Sequence, residues 1–280
     1  PRAGAADPYA LRVANRLVGN EERVAAIEMT GRGPSLRVSA AVHAAVIGVT
    51  DVTVDGRSVP TDTVVPLGPG QTMTTGALRE GLRGYIAVGG GIEIPLVLGS
   101  RSTDVLSGLG AGALARGDVL GVGPPGRPRS QLRRSHASRS TPVIRVLVGP
   151  DVFPAATLER LFSATWDVDP SSNRIGVRLR GGVPLDAFRP NSDSRGMVTG
   201  AVQLPPDGRP IALLCDHATV GGYPVIATVV SADLGILGQL RPDDAVRLEP
   251  VDLTEARRAR ARREREISNG VVGWYPVRTE

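Results

Sequence analysis

At 280 residues the chain is long enough for two domains of about 100–150 residues each, and 41% hydrophobic content with 3% aromatics describes globular layers of short side chains. All 33 basic residues are arginine against 28 acids, a net charge of +5, so a P-loop lysine, a lysine Schiff base and a covalently attached biotin are excluded in this chain. A single cysteine excludes an internal disulfide and a multi-cysteine metal site; no metal is expected, and a reducing, cytoplasmic setting is.

The first element is a helix: Asp7 is a good N-cap, Pro8 suits the first helical position, Leu11, Ala14, Leu17 and Val18 share a face, and Gly19 ends it. The N-terminal stretch lacks the basic-then-apolar layout of a signal peptide. With no run of 18 apolar residues anywhere, neither membrane insertion nor export is expected. From about Arg23 to Val122, short Val/Ile/Leu runs alternate with Gly, Pro and Asp at the rhythm of a β-barrel or sandwich.

Residues 125–141 lose apolar content and gain Pro, Ser and Arg, the composition of a linker, dividing a first domain (1–124) from a second (142–280). The second opens on the strand "PVIRVLVG" and a short helix over 154–166. Strands follow at "RIGVRLRG", "GAVQLP", "PIALLC", "PVIATVVS" and "AVRLEPV", and a helix begins near Thr254. The arginines of "GRPRSQLRRSHASRS" and "EARRARARREREI" have no interleaved aromatics, and in the second run they alternate with Glu. They are therefore read as a solvated linker and a charged helix face rather than a nucleic-acid surface.

Two segments carry chemistry. In "CDHATVGGYP" (215–224), Cys215 and His217 on a continuing strand would sit about 7 Å apart at Cα, too far for direct contact. The better reading ends the strand at a buried Cys215 and makes 216–222 a loop, in which Gly221 and Gly222 bring backbone N–H groups close to an anion. The run "GLRGYIAVGGGIEIPLVLGSRSTD" has three consecutive glycines that do not form a dinucleotide fingerprint. It does place Arg83 before a strand and gathers Ser100, Arg101 and Thr103 as hydroxyl and guanidinium donors for a carboxylate or phosphate. "SSNRIGVRLRG" repeats that chemistry with Asn173 and Arg174; each segment can equally be a hydrogen-bonded turn.

The phrases "LRVANRLVGN", "RGYIAVGGGIEIPLVLGSRST", "SSNRIGVRL", "GAVQLPPDGRPIALL" and "DHATVGGYPVIATVVSADLGILGQL" resemble, in this order and over nearly the whole chain, the biotin-dependent carboxyltransferase-like family. The resemblance implies a mainly β fold with a few helices, built as two cyclophilin-like β-barrel domains. It further implies one component of an ATP-dependent amide or lactam hydrolase, the C component of a 5-oxoprolinase, which opens 5-oxoproline to L-glutamate with ATP shared among partner subunits. Those partners would be a homologous β-barrel protein of the B type and a third 5-oxoprolinase component. Alternatives within the family are an allophanate hydrolase subunit 2-like carboxyltransferase using carboxybiotin from another chain, and a non-catalytic regulator of a kinase-inhibitor partner. The family's glycine loop reads Gln-Thr-Thr-Gly-Gly-Tyr-Pro; here Ala218 and Val220 replace two polar residues, leaving His217, Thr219, Gly221, Gly222 and Tyr223 as the loop's candidates.

Overall fold

The computed structural model describes residues 3–128, 141–186 and 193–269, and the backbone of 133–134 and 271–272. Most of the linker at 125–141 thus lies outside the described residues. Helix α1 (Pro8–Leu17) begins as expected: the Asp7 side chain accepts from the amides of Tyr9 and Ala10, and Pro8 has no amide to satisfy. Its buried face runs through Ala10, Val13, Ala14 and Leu17, with Leu11 only partly covered, and Gly19 follows with φ +79°.

Eight strands follow: β1 (Ile27–Thr30), β2 (Ser35–Arg37), β3 (Val42–Val49), β4 (Val52–Val54), β5 (Arg57–Val59), β6 (Val64–Leu67), β7 (Thr72–Thr75) and β8 (Glu80–Val88). They form two four-stranded sheets, ordered β1-β8-β3-β6 and β2-β7-β4-β5. Both sheets contribute to one core, including Ile27, Val46 and Ile86 from the first and Val52 and Met73 from the second. The outer face of the first sheet is covered by α1, where Ala45, Ile47, Tyr85 and Ala87 pack on Ala14 and Leu17.

The strand rhythm then stops. Only the short pair β9 (Ile92–Glu93) and β10 (Gly121–Val122) forms, and the intervening segment leaves Leu96, Leu98, Val105, Leu106, Leu109, Leu114 and Val119 exposed. β11 (Arg133–Arg134) pairs with β21 (Val271–Val272).

The second half contains β12 (Val143–Val148), α2 (Ala155–Ser163), β13 (Thr165–Val168), β14 (Gly176–Arg180), β15 (Arg195–Gly196), β16 (Ala201–Gln203) and β17 (Ile211–Leu213). It continues with β18 (Val220–Gly221), β19 (Val225–Val229), α3 (Leu234–Gln239), β20 (Ala245–Pro250) and α4 (Leu253–Ser268). Seven of these strands close a barrel in the order β12-β19-β16-β17-β14-β13-β20. The mainly β class with few helices and the barrel of the second half agree with the sequence.

Two local readings change. The expected helix over 154–166 ends at Ser163, because Trp166 turns into the barrel core as part of β13, its indole N–H held by the Leu161 carbonyl at 3.0 Å. Helix α3 has no counterpart among the expected elements: it is only six residues long and carries two glycines. Those glycines let the chain at Ala6–Asp7 pass close by, since a Cβ at Gly238 would lie 2.2 Å from the Ala6 carbonyl oxygen.

The last helix does not stay with its own half. Ile267 of α4 is buried in the cluster under α1, and Arg12 forms paired hydrogen bonds to Glu264 at 2.9 and 2.6 Å. Arg12 and Arg263 both stack over the Tyr9 ring, so the Arg/Glu alternation of α4 is used in packing as well as in solvation. Among the described residues no helix is long and apolar enough to cross a membrane.

Candidate functional site

The glycine loop lies against the outer wall of the closed barrel. It leaves β17 at Leu213, runs through the buried Cys215, Asp216 and His217, emerges at Ala218 to Val220, and re-enters at Pro224 before β19. β18 pairs with β15, with Gly221 opposite Arg195, and the Met197 amide bonds the Thr219 carbonyl at 2.9 Å. This strand pair is pinned to the wall through Asp151, which accepts from the Val225 amide at 2.7 Å and forms an ion pair with Arg195.

Cys215 sits in the interior, its Sγ 3.9 Å from the Arg174 carbonyl, and burial pushes its thiol up to about 12 despite the nearby Arg174 charge. A thiol in that state supplies no thiolate nucleophile near neutral pH. His217 is buried, and its Nδ1 lies 2.7 Å from the Ala218 carbonyl. A carbonyl only accepts, so Nδ1 is the donor in this contact and Nε2 is the ring's remaining hydrogen-bonding atom. Thr219 and Tyr223 are exposed.

Gly221 and Gly222 do not adopt left-handed backbone, so they are not turn formers in that sense. A Cβ at Gly221 would stand 2.7 Å from the Gln203 amide nitrogen and 3.0 Å from Met197 Cγ, so the loop backbone packs directly on these two side chains.

Arg83 and Arg174 meet at the seam between the halves. Arg174 binds Asp216 through Nε at 2.9 Å and Nη2 at 3.1 Å, reaches the Gly4 carbonyl at 2.6 Å, and ion-pairs with Glu28 of β1. Arg83 Nε lies 3.5 Å from the same Glu28 carboxylate, and its guanidinium also donates to the Gly238 carbonyl. Tyr85 donates to Glu28 at 2.7 Å and accepts the Asp7 amide at 2.8 Å, and Gln239 bridges the Arg83 amide and the Asp7 carboxylate, each at 2.9 Å. Burial drives the Asp7 carboxyl up and the Tyr85 phenol well above its ordinary value. Two guanidiniums thus face two carboxylates, Glu28 and Asp216, a balanced set in which Arg83 and Arg174 already have protein partners.

Asp216 ties this cluster to the 94–112 segment, because it also accepts the Val105 amide at 3.2 Å. In that segment Val97 and Ser100 exchange backbone hydrogen bonds, Ser100 Oγ accepts the Ser102 amide, and Thr103 donates to the Gly112 carbonyl. These two hydroxyls are spent on the turn. Arg101 is exposed and uses only Nε, on the Ile94 carbonyl at 2.9 Å; its two Nη groups have no partner among the described residues. Asn173 caps its own turn, accepting the Ile175 amide at 2.8 Å, and is exposed.

Residues 1–250 match the family described as the carboxyltransferase domain, subdomain A and B. The chain belongs to this family. It is 34% identical to the C subunit of 5-oxoprolinase from Escherichia coli (strain K12) over 268 residues, covering 94% of this chain and 86% of that protein. It is also 34% identical to urea amidolyase of Saccharomyces cerevisiae over 286 residues, which cover 92% of this chain but only 15% of that enzyme. Among solved structures, the K. lactis urea amidolyase superposes on the whole chain with a TM-score of 0.87 at 28% identity, over 18% of its own length.

Proposed function

We propose that the chain is the C subunit of a 5-oxoprolinase, one component of an ATP-dependent hydrolase that opens the lactam of 5-oxoproline to L-glutamate. The observation that carries this reading is the reciprocal coverage: the match to the E. coli 5-oxoprolinase component spans most of both proteins, whereas the urea amidolyase matches are to a small part of a long enzyme. In the reaction, water adds to the ring carbonyl, the carbon–nitrogen bond breaks, the released amine takes a proton, and ATP is hydrolysed.

In this reading the chain's own contribution is positioning and charge stabilisation rather than covalent catalysis. Thr219 and the amides around Gly221 and Gly222 face the reacting group, His217 Nε2 offers a further hydrogen-bonding atom, and Tyr223 walls the entrance. With Arg83 and Arg174 occupied at the seam, Arg101 is the candidate guanidinium left to take the substrate carboxylate. ATP is shared with the partner subunits, since this chain has no P-loop lysine. Exposed Leu and Val residues recur between Leu96 and Val119, and we assign this segment to contact with a homologous β-barrel partner.

The structural match to urea amidolyase supports a second reading, in which the chain accepts a carboxyl group from biotin carried by another protein. The two are separated by reconstituting the chain with a homologous β-barrel protein and a third 5-oxoprolinase-type component. ATP-dependent release of glutamate from 5-oxoproline supports the first. Carboxyl transfer from carboxybiotin without glutamate release supports the second. A stable complex with neither activity indicates a regulator.

A further inference from the structure

Between β9 and β10 the chain carries no helix or strand, yet one part of that arm is a built turn. Asp104 is buried, and its carboxylate accepts the amides of Leu106 at 2.9 Å and Ser107 at 3.3 Å. Its carbonyl accepts the Gly108 amide and its own amide donates to the Leu109 carbonyl, so 104–109 closes on itself as a capped turn. Gly110 seals the base with φ +111°, where a Cβ would stand 2.8 Å from Thr103 Cα. Held in this way, the turn presents Val105, Leu106 and Leu109 to solvent, each about half exposed.

The turn stands on the glycine loop. Its Val105 amide donates to Asp216 Oδ2 at 3.2 Å, and among the described residues this is the one hydrogen bond that joins the arm to the barrel half. Asp216 is fully buried, is bound from its other side by Arg174, and immediately precedes His217, so a change at Val105 reaches the loop through a single side chain. Residues 105–115 include no charged side chain, and a tip of this kind suits an uncharged protein face rather than an anion. The arm lies within the superposition on urea amidolyase, which covers the whole chain, so it belongs to the fold where that fold is one part of a longer polypeptide.

We propose that the 104–109 turn is a docking knob for an uncharged face of the homologous β-barrel subunit, and that docking there fixes the glycine loop through the Val105–Asp216 link. The proposal rests on the reading of the 96–119 segment as the partner contact; it adds which residues meet the partner and what their docking does. Uncovered, an arm held to the barrel by one bond opens locally, and each opening takes from the Asp216 carboxylate the amide it shares with the turn. Covered by the partner, the turn stays seated, and the residues that follow Asp216 are held with it.

The experiment follows amide hydrogen exchange at residues 217–223 in the full chain, alone and with the homologous β-barrel subunit, without substrate. Complex formation is titrated and melting temperatures are recorded alongside. In the unaltered chain the partner should slow exchange at 217–223 by about tenfold or more, the worth of one hydrogen bond to a charged group. Val105→Pro removes the donor at a position that suits proline, the first of a capped turn, so the chain should fold and still bind the partner. The partner should then slow 217–223 by less than about twofold, because the coupling path is cut. Val105→Ala keeps the amide and should keep the slowing. Leu106→Ser with Leu109→Ser should weaken partner binding by about tenfold or more through lost apolar burial. If the complex forms and 217–223 does not respond, or responds equally in Val105→Pro, the link is overturned while the partner reading stands. Undiminished binding of the double serine variant overturns the knob. If the unaltered chain forms no complex, the partner reading falls and this inference falls with it.

Discussion

The second half of the chain closes seven strands into a barrel, whereas the first keeps eight strands in two sheets whose edge strands, β1, β6, β2 and β5, are only three or four residues long. A closed wall has no edge to protect, so the segments joining its strands are free to carry the short β15-β18 pair outside it. The open half depends on neighbours instead. Its edge strand β1 holds Glu28, and that carboxylate is met by Arg174 from the barrel half and by Tyr85 and Arg83 from the adjoining strand. The polar seam is thus part of how the first half is completed, and the glycine loop is what the second half is able to present.

The largest effect expected from breaking this comparison is at the seam. Arg174→Ala would leave Asp216, fully buried, and Glu28 without their shared cation, a loss of about 3–5 kcal/mol of stability. Chemical denaturation should show it as a lower midpoint, and an unchanged midpoint would mean the halves do not depend on the seam.

Next in size, Arg101→Ala should weaken 5-oxoproline binding to the assembled complex by about 1.5–3 kcal/mol, the range for a charged hydrogen bond. The melting temperature should not move. A lower melting temperature with intact affinity would make Arg101 a turn residue only.

Asp7→Ala removes the α1 cap and strands the Gln239 amide, a cost of about 2 kcal/mol from the lost cap and the unpaired donor together. The sign of its pH dependence is distinctive. Burial raises the Asp7 carboxyl in the folded state, so the stability linked to it is fully present below the ordinary carboxylate range and is lost as pH rises through the folded value. The cost of Asp7→Ala should therefore shrink as pH rises.

Glu264 on α4 behaves oppositely and more weakly. Its hydrogen bonds from Arg12 hold it below its ordinary value of 4.5, so its contribution is present above that pH and is lost as pH falls through the folded value. Glu264→Gln should cost a little at neutral pH and nothing in acid. Urea titrations of both variants across this range would show the two opposite slopes, and parallel slopes would remove the distinction between the buried seam and the exposed helix contact.

Much of this was legible in the sequence where the signal is local. Asp7-Pro8 announces α1 by capping chemistry, alternating Val and Ile announce the strands, and paired glycines after a strand end announce the 215–224 loop. The seam was not legible, because Arg174 and Glu28 stand 146 positions apart and no spacing rule links them. Arg83 and Arg174 consequently read as free anion-binding groups, although protein carboxylates face them. The segment 94–120 carried enough Leu and Val to read as further strands, yet most of those side chains are exposed.

The central claim, that the barrel's glycine loop binds the substrate while the seam holds the halves together, is tested most directly by amide hydrogen exchange on the assembled complex with and without 5-oxoproline. Ligand addition should slow exchange at residues 217–223, with β8 and β14 unchanged because their amides are already protected by pairing. Protection that appears elsewhere, with 217–223 unaffected by saturating 5-oxoproline, would contradict it.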